Sequence, residues 1–203
     1  MLKKLIVGDM QTNCYVVYNS FQECIIIDPG ARGQKISKFI EKNHLKVLAI
    51  LITHGHFDHI GAVDYLYDKY HCSIYTHALT NELLLNPQLN LSFYDIPMKV
   101  NAPVKETSTH MKLSHYEIEW MLLEGHCQGS SMIYFPNEGY LFSGDVLFKG
   151  SIGRFDFPTS SHFQTKQSLG MIQSLSFDAR VLPGHGEETT LLYEKKNNPY
   201  LKS

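Results

Sequence analysis

Apolar and polar residues alternate along the first half of the chain in short blocks that predict strands separated by helices. Two apolar runs, Tyr15 to Val17 and Cys24 to Ile27, predict paired strands, and the second run ends at the turn signal Asp28-Pro29-Gly30. Apolar residues at helical spacing predict a helix over 34–43, and a continuous apolar run over 47–52 predicts a buried strand. This order of strand, turn, helix and strand is typical of α/β proteins.

The pattern continues with a second helix and then becomes irregular. Residues 60–70 have one apolar face at helical spacing and residues 73–75 predict a short strand. Prolines and asparagines interrupt the region 81–108, which we interpret as a helix followed by a long surface excursion that could roof a site. Apolar runs over 117–123 and 132–135 predict further strands, and the charged run 194–197 predicts a solvated helix end.

Metal-ligand side chains are concentrated directly after the strand predicted over 47–52. His54, His56, Asp58 and His59 lie within six consecutive residues. Imidazole nitrogen and carboxylate oxygen are the ligands that zinc and its neighbours prefer. Without a metal, four such side chains would crowd charges and dipoles to no benefit. The cluster therefore predicts a metal site rather than a polar turn that happens to be rich in histidine.

Three more candidate ligands lie in the second half of the chain, each next to a glycine and after an apolar run: His126, Asp145 and His185. Taken singly, each also fits an ordinary structural turn. Loops at strand ends are the usual positions of site residues, and rigid strands can bring such loops to one edge of a sheet. The joint presence of these residues with the histidine cluster favours a shared metal site.

Composition limits the class of protein and its partners. The chain has 203 residues, 43% of them hydrophobic and 19% charged, which predicts one soluble domain, 1–203. A net charge of −2 gives no basic field for nucleic acid and no basic patch for a membrane. No signal peptide or membrane span is expected. The four cysteines have no CxxC spacing, which predicts reduced thiols and a cytoplasmic location.

The order of these residues over nearly the whole chain resembles the metallo-β-lactamase superfamily, whose members carry His-x-His-x-Asp-His, a later His, a Gly-Asp and a final Gly-His. The resemblance implies an α/β fold, the four-layer αββα sandwich of two similar halves. It also implies two divalent metal ions, zinc first, with iron or manganese as alternatives. The implied ligands of the first metal are His54, His56 and His126. Those of the second metal are Asp58, His59 and His185, with Asp145 as the bridge between the two.

Details of the motifs are similar to one branch of the superfamily. Asp145 stands where class B β-lactamases usually have cysteine, which points away from antibiotic hydrolysis and toward glyoxalase II-like enzymes. Five segments resemble the short bacterial members of that branch: Asn13-Cys14-Tyr15, Ile27-Asp28-Pro29-Gly30, Gly144-Asp145, Gly153-Arg154 and Asn198-Pro199-Tyr200-Leu201. Full-length glyoxalase II enzymes carry an additional helical C-terminal domain, and we expect this chain to lack it because only a short tail follows His185.

Two cations roughly 3.5 Å apart would share a water and convert it near neutral pH into a metal-bridging hydroxide, which Asp58 could orient. A thioester suits this nucleophile because its thiolate departs with little protonation. We therefore expect hydrolysis of a small acyl thioester, such as a hydroxyacylglutathione or a conjugate of another low-molecular-weight thiol. Arg154 is a candidate to bind a substrate carboxylate, with a structural pair to Asp156 as the alternative.

Other functions fit the same motif. A mononuclear iron persulfide dioxygenase would use only the ligands at His54, His126 and Asp145. Another hydrolase, such as a lactonase, and a non-catalytic metal-binding module also remain open. The sequence does not determine the acyl group, the thiol or the oligomeric state.

Overall fold

The computed structural model describes residues 1–202, and these form two compact units. The first unit runs Met1–Glu106 and the second unit begins at Thr107.

The first unit is built on a six-stranded sheet whose spatial order follows the chain order. Its strands are β1 (Leu2–Val7), β2 (Thr12–Tyr18), β3 (Glu23–Ile27), β4 (Lys46–Leu51), β5 (Ser73–Thr76) and β6 (Val104–Glu106). The first three strands pair antiparallel, while β3 to β6 run parallel. Parallel neighbours require crossovers, and helices supply them here. The paired strands, the turn after Ile27 and the strand over 47–52 are thus confirmed.

Four helices accompany this sheet: α1 (Gly33–Lys42), α2 (Phe57–Ile60), α3 (Val63–Tyr70) and α4 (Asn81–Leu85). Ile36 and Ile40 of α1 pack with Val63 and Leu66 of α3 in one core with strand residues such as Ile50. These are the apolar faces that the helical spacing predicts. The core holds the end of β4, where the histidine cluster begins, on a rigid scaffold.

The helix predicted over 60–70 is interrupted in the structure. Helix α2 ends at Ile60 and α3 begins only at Val63. Between them, the Ala62 amide donates to the carbonyl of Pro29 at 2.9 Å, and Gly61 lies so close to Gly30 that a Cβ atom would overlap its carbonyl oxygen. These tertiary contacts redirect the backbone, which the local pattern cannot show.

The irregular region after α4 is only partly a surface excursion. The predicted helix is present but short, and strand β6, which the sequence pattern did not predict, closes the region. Asn90 is fully buried, and its side-chain amide donates to the carbonyl of Met98 at 3.0 Å. Its own carbonyl accepts from the Phe57 amide at 2.9 Å, so this region packs against the histidine loop of the same unit.

The second unit contains a six-stranded sheet in the order β14-β13-β10-β9-β8-β7 and a separate two-stranded hairpin. The sheet strands are β7 (His110–Leu113), β8 (Tyr116–Leu122), β9 (Ser131–Phe135), β10 (Tyr140–Gly144), β13 (Arg180–Pro183) and β14 (Thr189–Thr190). The hairpin joins β11 (Leu147–Phe148) to β12 (Ser151–Ile152). Strands β10 and β13 run parallel and the other sheet neighbours antiparallel. The strands predicted over 117–123 and 132–135 are confirmed.

Two helices complete the second unit, α5 (His162–Ser174) and α6 (Leu191–Asn197). Ile172 of α5 and Leu191 of α6 pack in one core with Met132 and Val181 of the strands. The prediction of a solvated helix end over 194–197 is wrong at Glu194, which is 0% exposed. Its carboxylate is buried because three hydrogen-bond donors surround it, and charge patterning along the chain carries no sign of those donors.

The longest helix in the described part of the chain, α5, has 13 residues, and no helix there has the length and apolarity needed to cross a membrane. All four cysteines are buried and none forms a disulfide.

Candidate functional site

The first unit positions four of the predicted ligands on one loop and the short helix after it. The loop leaves β4 at Ile52 and leads into α2, so that His54, His56 and His59 are all buried. The ring centroids of His54 and His59 are 4.1 Å apart, and those of His54 and His56 are 4.8 Å apart. Burial of three imidazoles this close together is unusual for an apolar core and typical of a metal-binding loop.

A buried carboxylate, Asp28 at the end of β3, organises this loop. Its Oδ1 accepts from the Thr53 amide at 2.8 Å, and its Oδ2 accepts from the Thr53 hydroxyl at 2.6 Å. The same Oδ2 lies 3.0 Å from Nδ1 of His59. Asp28 also has a φ of +49°, in the left-handed region that aspartate tolerates better than most residues. One side chain therefore fixes both the start of the loop and one of its rings.

The hydrogen-bond partners determine which ring nitrogen of each histidine carries the proton. Because Asp28 is an acceptor, Nδ1 of His59 is the donor in that contact. The single hydroxyl proton of Thr53 goes to Asp28, so Nδ1 of His54, 3.1 Å from the Thr53 oxygen, donates to it. Both rings thus keep the proton on Nδ1 and present the Nε2 lone pair, which is the arrangement that metal-ligating histidines have.

Asp58 is half-buried beside His59. Its Oδ2 accepts from the Thr12 hydroxyl at 2.8 Å and lies 3.5 Å from Nε2 of His59. The backbone here is held by a close approach, because a Cβ atom on Gly30 would overlap the carbonyl oxygen of Asp58. The turn after β3 and helix α2 are therefore packed backbone to backbone.

The second unit positions its three candidate ligands on three separate loops: His126 after β8, Asp145 after β10 and His185 after β13. These loops converge on the Asp145 carboxylate. Its Oδ2 lies 3.6 Å from Nε2 of His126 and also 3.6 Å from Nε2 of His185. The structure thus places Asp145 between two imidazoles, as a carboxylate that bridges two metals would have to be placed.

His126 is anchored through the backbone of a neighbouring loop. Its Nδ1 lies 2.7 Å from the carbonyl oxygen of Arg154, and since a carbonyl only accepts, Nδ1 carries the proton and Nε2 carries the lone pair. The ring also meets the edge of Phe157, with centroids 5.8 Å apart. A Cβ atom on Gly153 would overlap the carbonyl oxygen of Asp145, so the Gly153-Arg154 turn packs against two of the candidate ligands.

The loop that carries His126 is tied to the start of α5. Glu124 accepts from the Gly129 amide and from the side chain of Gln164, both at 3.0 Å, while its carbonyl accepts from Ser168 at 2.6 Å. The Ser160 hydroxyl also donates to the carbonyl of His126. These contacts fix the loop at both ends, and Glu124 takes part in three of them.

The spacing and chemistry of the donor atoms fit divalent metal ions. Ligand atoms bound to a tetrahedral cation at about 2.1 Å lie roughly 3.4 Å from each other. The nitrogen-to-carboxylate separations of 3.5 Å in the first unit and 3.6 Å in the second are close to that value. The donors are also of the nitrogen and oxygen types that zinc, iron and manganese accept.

Arg154 forms the ion pair with Asp156 that was the alternative to substrate binding. Its guanidinium forms two hydrogen bonds of 2.9 Å with Asp156 and stacks over Phe157, 4.4 Å from the ring centroid. The hydrogen bonds to Asp156 raise the pKa of Arg154, and those from Arg154 lower the pKa of Asp156 below its ordinary value. The side chain is still largely exposed, so the pair is accessible from solvent.

Sequence reasoning missed the residues that support the ligands. Asp28 was noted as part of a turn signal and of a segment that resembles the family, but without a role, whereas it is a buried hydrogen-bond acceptor for the histidine loop. A carboxylate between an apolar strand and a proline is a signal that could have pointed to it. Thr12 and Glu124 carry no such signal, because Asp58 lies 46 residues from Thr12 and Gln164 lies 40 residues from Glu124.

Two α/β units with histidine and carboxylate side chains after their strands, in groups that could hold a metal ion, are typical of metal-binding proteins of the mixed α/β class. The family model of the metallo-β-lactamase superfamily matches residues 7–185, and the chain belongs to that superfamily. The predicted resemblance is therefore confirmed.

The relatives that cover almost the whole chain include two whose names state an activity. A protein of Bacillus subtilis named "Probable metallo-hydrolase YqgX" is 34% identical, over 98% of this chain and 96% of its own length. "Hydroxyacylglutathione hydrolase GloC" of Haemophilus influenzae is 30% identical, over 95% of this chain and 94% of its own length. The chain is thus similar to metallo-hydrolases along its full length.

Two solved structures are similar to this chain in fold as well as in sequence. The crystal structure of the BLEG-1 B3 metallo-β-lactamase is 35% identical and covers 100% of both chains with a TM-score of 0.94. The crystal structure of TTHA1623 in a di-iron-bound form is also 35% identical and covers 98% of this chain and 99% of the other, with a TM-score of 0.87. The predicted fold class, the αββα metallo-β-lactamase sandwich, is confirmed.

Proposed function

We propose that this protein is a binuclear metallohydrolase that cleaves an acyl thioester. The observation that carries the proposal is the Asp145 carboxylate, which lies 3.6 Å from Nε2 of both His126 and His185. A single-metal site does not need a carboxylate between two imidazoles. The proposed ligands are those that the superfamily motif implies: His54, His56 and His126 for one metal, Asp58, His59 and His185 for the other, and Asp145 for both.

Two divalent ions, zinc first and iron or manganese otherwise, supply when bound a nucleophilic water at neutral pH and a Lewis acid for the substrate carbonyl. The residues of the chain contribute position and charge. Asp58, which accepts from Thr12, orients the attacking water. Asp28 and the Arg154 carbonyl keep the rings of His59 and His126 in the protonation state that leaves Nε2 available.

The thioester is proposed because its thiolate leaving group needs little protonation, so the reaction does not require a dedicated general acid. The relative named as a hydroxyacylglutathione hydrolase supports the same class of substrate. We also propose that Arg154 binds a substrate carboxylate by exchanging its exposed partner Asp156 for the substrate. The reaction would take place in the cytoplasm, since four reduced cysteines suit a reducing compartment.

The first experiment is the metal content of protein purified without chelator or added metal, measured by plasma mass spectrometry. We expect close to two ions per chain, together with turnover of a panel of small acyl thioesters. The variants His126→Ala and Asp145→Ala should lose metal-dependent turnover, while His110→Ala, an exposed histidine on β7, should keep it.

Two outcomes would overturn the proposal. Turnover that survives in both ligand variants would exclude the mechanism. A single iron per chain, with oxygen consumption on persulfides, would instead establish the mononuclear dioxygenase.

A second candidate function is β-lactam hydrolysis, which the similarity to the BLEG-1 B3 metallo-β-lactamase favours. The same metal-activated water could attack a strained lactam carbonyl. Comparing kcat/KM for β-lactams, lactones and thioesters on one preparation distinguishes these activities. A β-lactam value that exceeds all thioester values would replace the proposed substrate class.

A further inference from the structure

An open groove lies beside His185 in the second unit. It has a volume of about 620 Å³, which is within the usual size for small-molecule sites. Its lining combines aromatic and charged side chains: Phe148, Lys149, His185, Glu187 and Tyr193, with Gly150 and Gly186. His185 is 27% exposed at its side chain, so this proposed metal ligand is accessible from the groove.

A buried carboxylate connects the segments that form the walls of the groove. Glu194 on α6 is fully buried and accepts from the Gly150 amide at 2.8 Å, from the Asn198 side chain at 2.8 Å and from the Thr189 hydroxyl at 2.7 Å. These bonds connect the β11–β12 turn, strand β14 and helix α6. A site whose walls are fixed in this way has little to reorganise when a ligand binds.

Two aromatic side chains form the apolar part of the groove. Phe148 meets His185 edge to face, with ring centroids 6.2 Å apart, and Tyr193 is half-exposed on α6. Aromatic rings of this kind cover the carbon and sulfur atoms of a ligand and attract a cation to their faces.

One positive and one negative charge lie side by side at the groove. The Lys149 ammonium pairs with the Glu187 carboxylate, and both side chains are largely exposed. An exposed pair of this kind contributes little to stability, so exchanging it for contacts with a ligand costs little. A ligand with a carboxylate for Lys149 and an ammonium for Glu187 would replace one ion pair by two.

We propose that this groove binds the thiol portion of the substrate, and that Lys149 and Glu187 select a thiol that carries both an ammonium and a carboxylate, as an α-amino acid does. The inference rests on the proposed function, because it takes the sulfur as the atom next to the metal ligand His185. Thiols with only one of the two charges would leave one groove residue without a ligand contact.

Binding of unreactive thioethers tests this selection independently of catalysis. Titration calorimetry on the protein as purified would compare S-ethylcysteine, which has both charges, with S-ethylcysteamine and S-ethyl mercaptopropionate, which have one each. We expect S-ethylcysteine to bind about fivefold more tightly than either analogue, the effect of one additional exposed charge contact.

Three variants make the test specific. Lys149→Met should remove the advantage of S-ethylcysteine over S-ethylcysteamine, and Glu187→Gln should remove its advantage over S-ethyl mercaptopropionate. Both positions are exposed, so the fold should be kept. Lys112→Met is the matched control, because Lys112 forms an exposed pair with Glu117 on β7 and β8, outside the groove lining. This control should keep the full advantage.

The outcomes separate the inference from the proposed function. Equal binding of the three thioethers overturns the inference. So does an advantage over S-ethylcysteamine that survives in Lys149→Met together with an advantage over S-ethyl mercaptopropionate that survives in Glu187→Gln. Selective binding in protein that hydrolyses no thioester would support the groove and contradict the proposed function. Thioester hydrolysis that S-ethylcysteine inhibits more strongly than the other two analogues would support both.

Discussion

The two units supply metal ligands in different ways. The first unit carries four candidate ligands within six consecutive residues after one strand, β4. The second unit carries three candidates on loops after three different strands, β8, β10 and β13. The contiguous set can be recognised by itself, whereas each member of the dispersed set also fits an ordinary turn and is recognised only together with the histidine cluster.

The support of the ligands differs as well. In the first unit, a buried side chain, Asp28, accepts hydrogen bonds from the loop and from the His59 ring. In the second unit, the anchor of His126 is a backbone carbonyl, and Glu124 holds the loop from behind. A side-chain anchor can be deleted by one substitution, while a backbone anchor survives substitution of its residue. Substitution of Asp28 should therefore lower metal affinity more than substitution of Arg154.

The largest effects should come from the two glycines that touch ligand backbones. Gly30→Ala would overlap the Asp58 carbonyl, and Gly153→Ala would overlap the Asp145 carbonyl. We expect each to destabilise the protein by about 3 kcal/mol, as strong overpacking does, and to lower the bound metal. Gly170→Ala, an open position on α5, is the control and should leave stability unchanged or raise it by about 0.5 kcal/mol. Urea unfolding and metal analysis would check this, and normal metal content in either variant would contradict the close packing.

Substitution of Asp28 should have the next largest effect and test the two kinds of anchor directly. Asp28→Asn keeps the shape but replaces one of the two oxygens that accept from Thr53 and His59 with an NH2 donor, so metal affinity should fall about 10- to 100-fold. Arg154→Ala removes the side chain but keeps the carbonyl that accepts from His126, and its metal affinity should stay close to wild type. Competition with a chromophoric chelator measures both. A larger loss in Arg154→Ala than in Asp28→Asn would reverse the comparison.

High pH should weaken the first unit through its buried thiols. Burial raises the pKa of Cys24 to about 12 and that of Cys72 to about 11, from an ordinary value near 9. The raised thiol pKa values stabilise the folded state at pH values below 9. This stabilisation is lost as the pH rises from 9 toward the pKa values of the thiols in the folded protein. Each thiol should then cost about 1 kcal/mol per pH unit above 9. Urea midpoints at pH 8 and pH 10 measure the decline, and Cys72→Ala should reduce it; an equal decline in that variant would contradict the assignment.

The smallest effect concerns the exposed pair in the second unit. Hydrogen bonds from Arg154 lower the pKa of Asp156, so the pair stabilises the fold above the ordinary aspartate pKa, and this stabilisation disappears as the pH falls through the lowered value. Asp156→Asn should lower Tm by about 1 °C or less at pH 7. At a pH low enough to protonate Asp156 in the wild-type protein, the variant and the wild type should have the same Tm. A Tm difference that grows in acid would contradict this sign.

The sequence predicted most of the strands that carry ligands because their apolar runs are local signals. The strand before His54 and the strand before His126 are present, although their ends differ by one residue. The break at Gly61 and Ala62 could not be predicted, since its cause is a contact with Pro29 and Gly30. Helical propensity alone favours continuation there.

The candidate ligands could be predicted better than the residues that hold them. Ligand atoms belong to a short list of residue types, so their types and motif order point to metal. Glu194 shows the opposite case, because a charged residue in a charged run gives no sign that its carboxylate will be fully buried. Whether a polar group is buried depends on partners from distant parts of the chain, and these are known only once the fold is known.

The buried Glu194 also bears on how such a protein could change its substrate over evolution. The carboxylate and Asn198 fix the shape of the groove from inside, whereas Lys149, Glu187 and Tyr193 face solvent. Substitutions at solvent-facing positions usually change stability by little, so new combinations of charge and ring can be tried there without loss of the fold. A scaffold that separates the residues that maintain shape from those that select the ligand is open to rapid diversification of specificity.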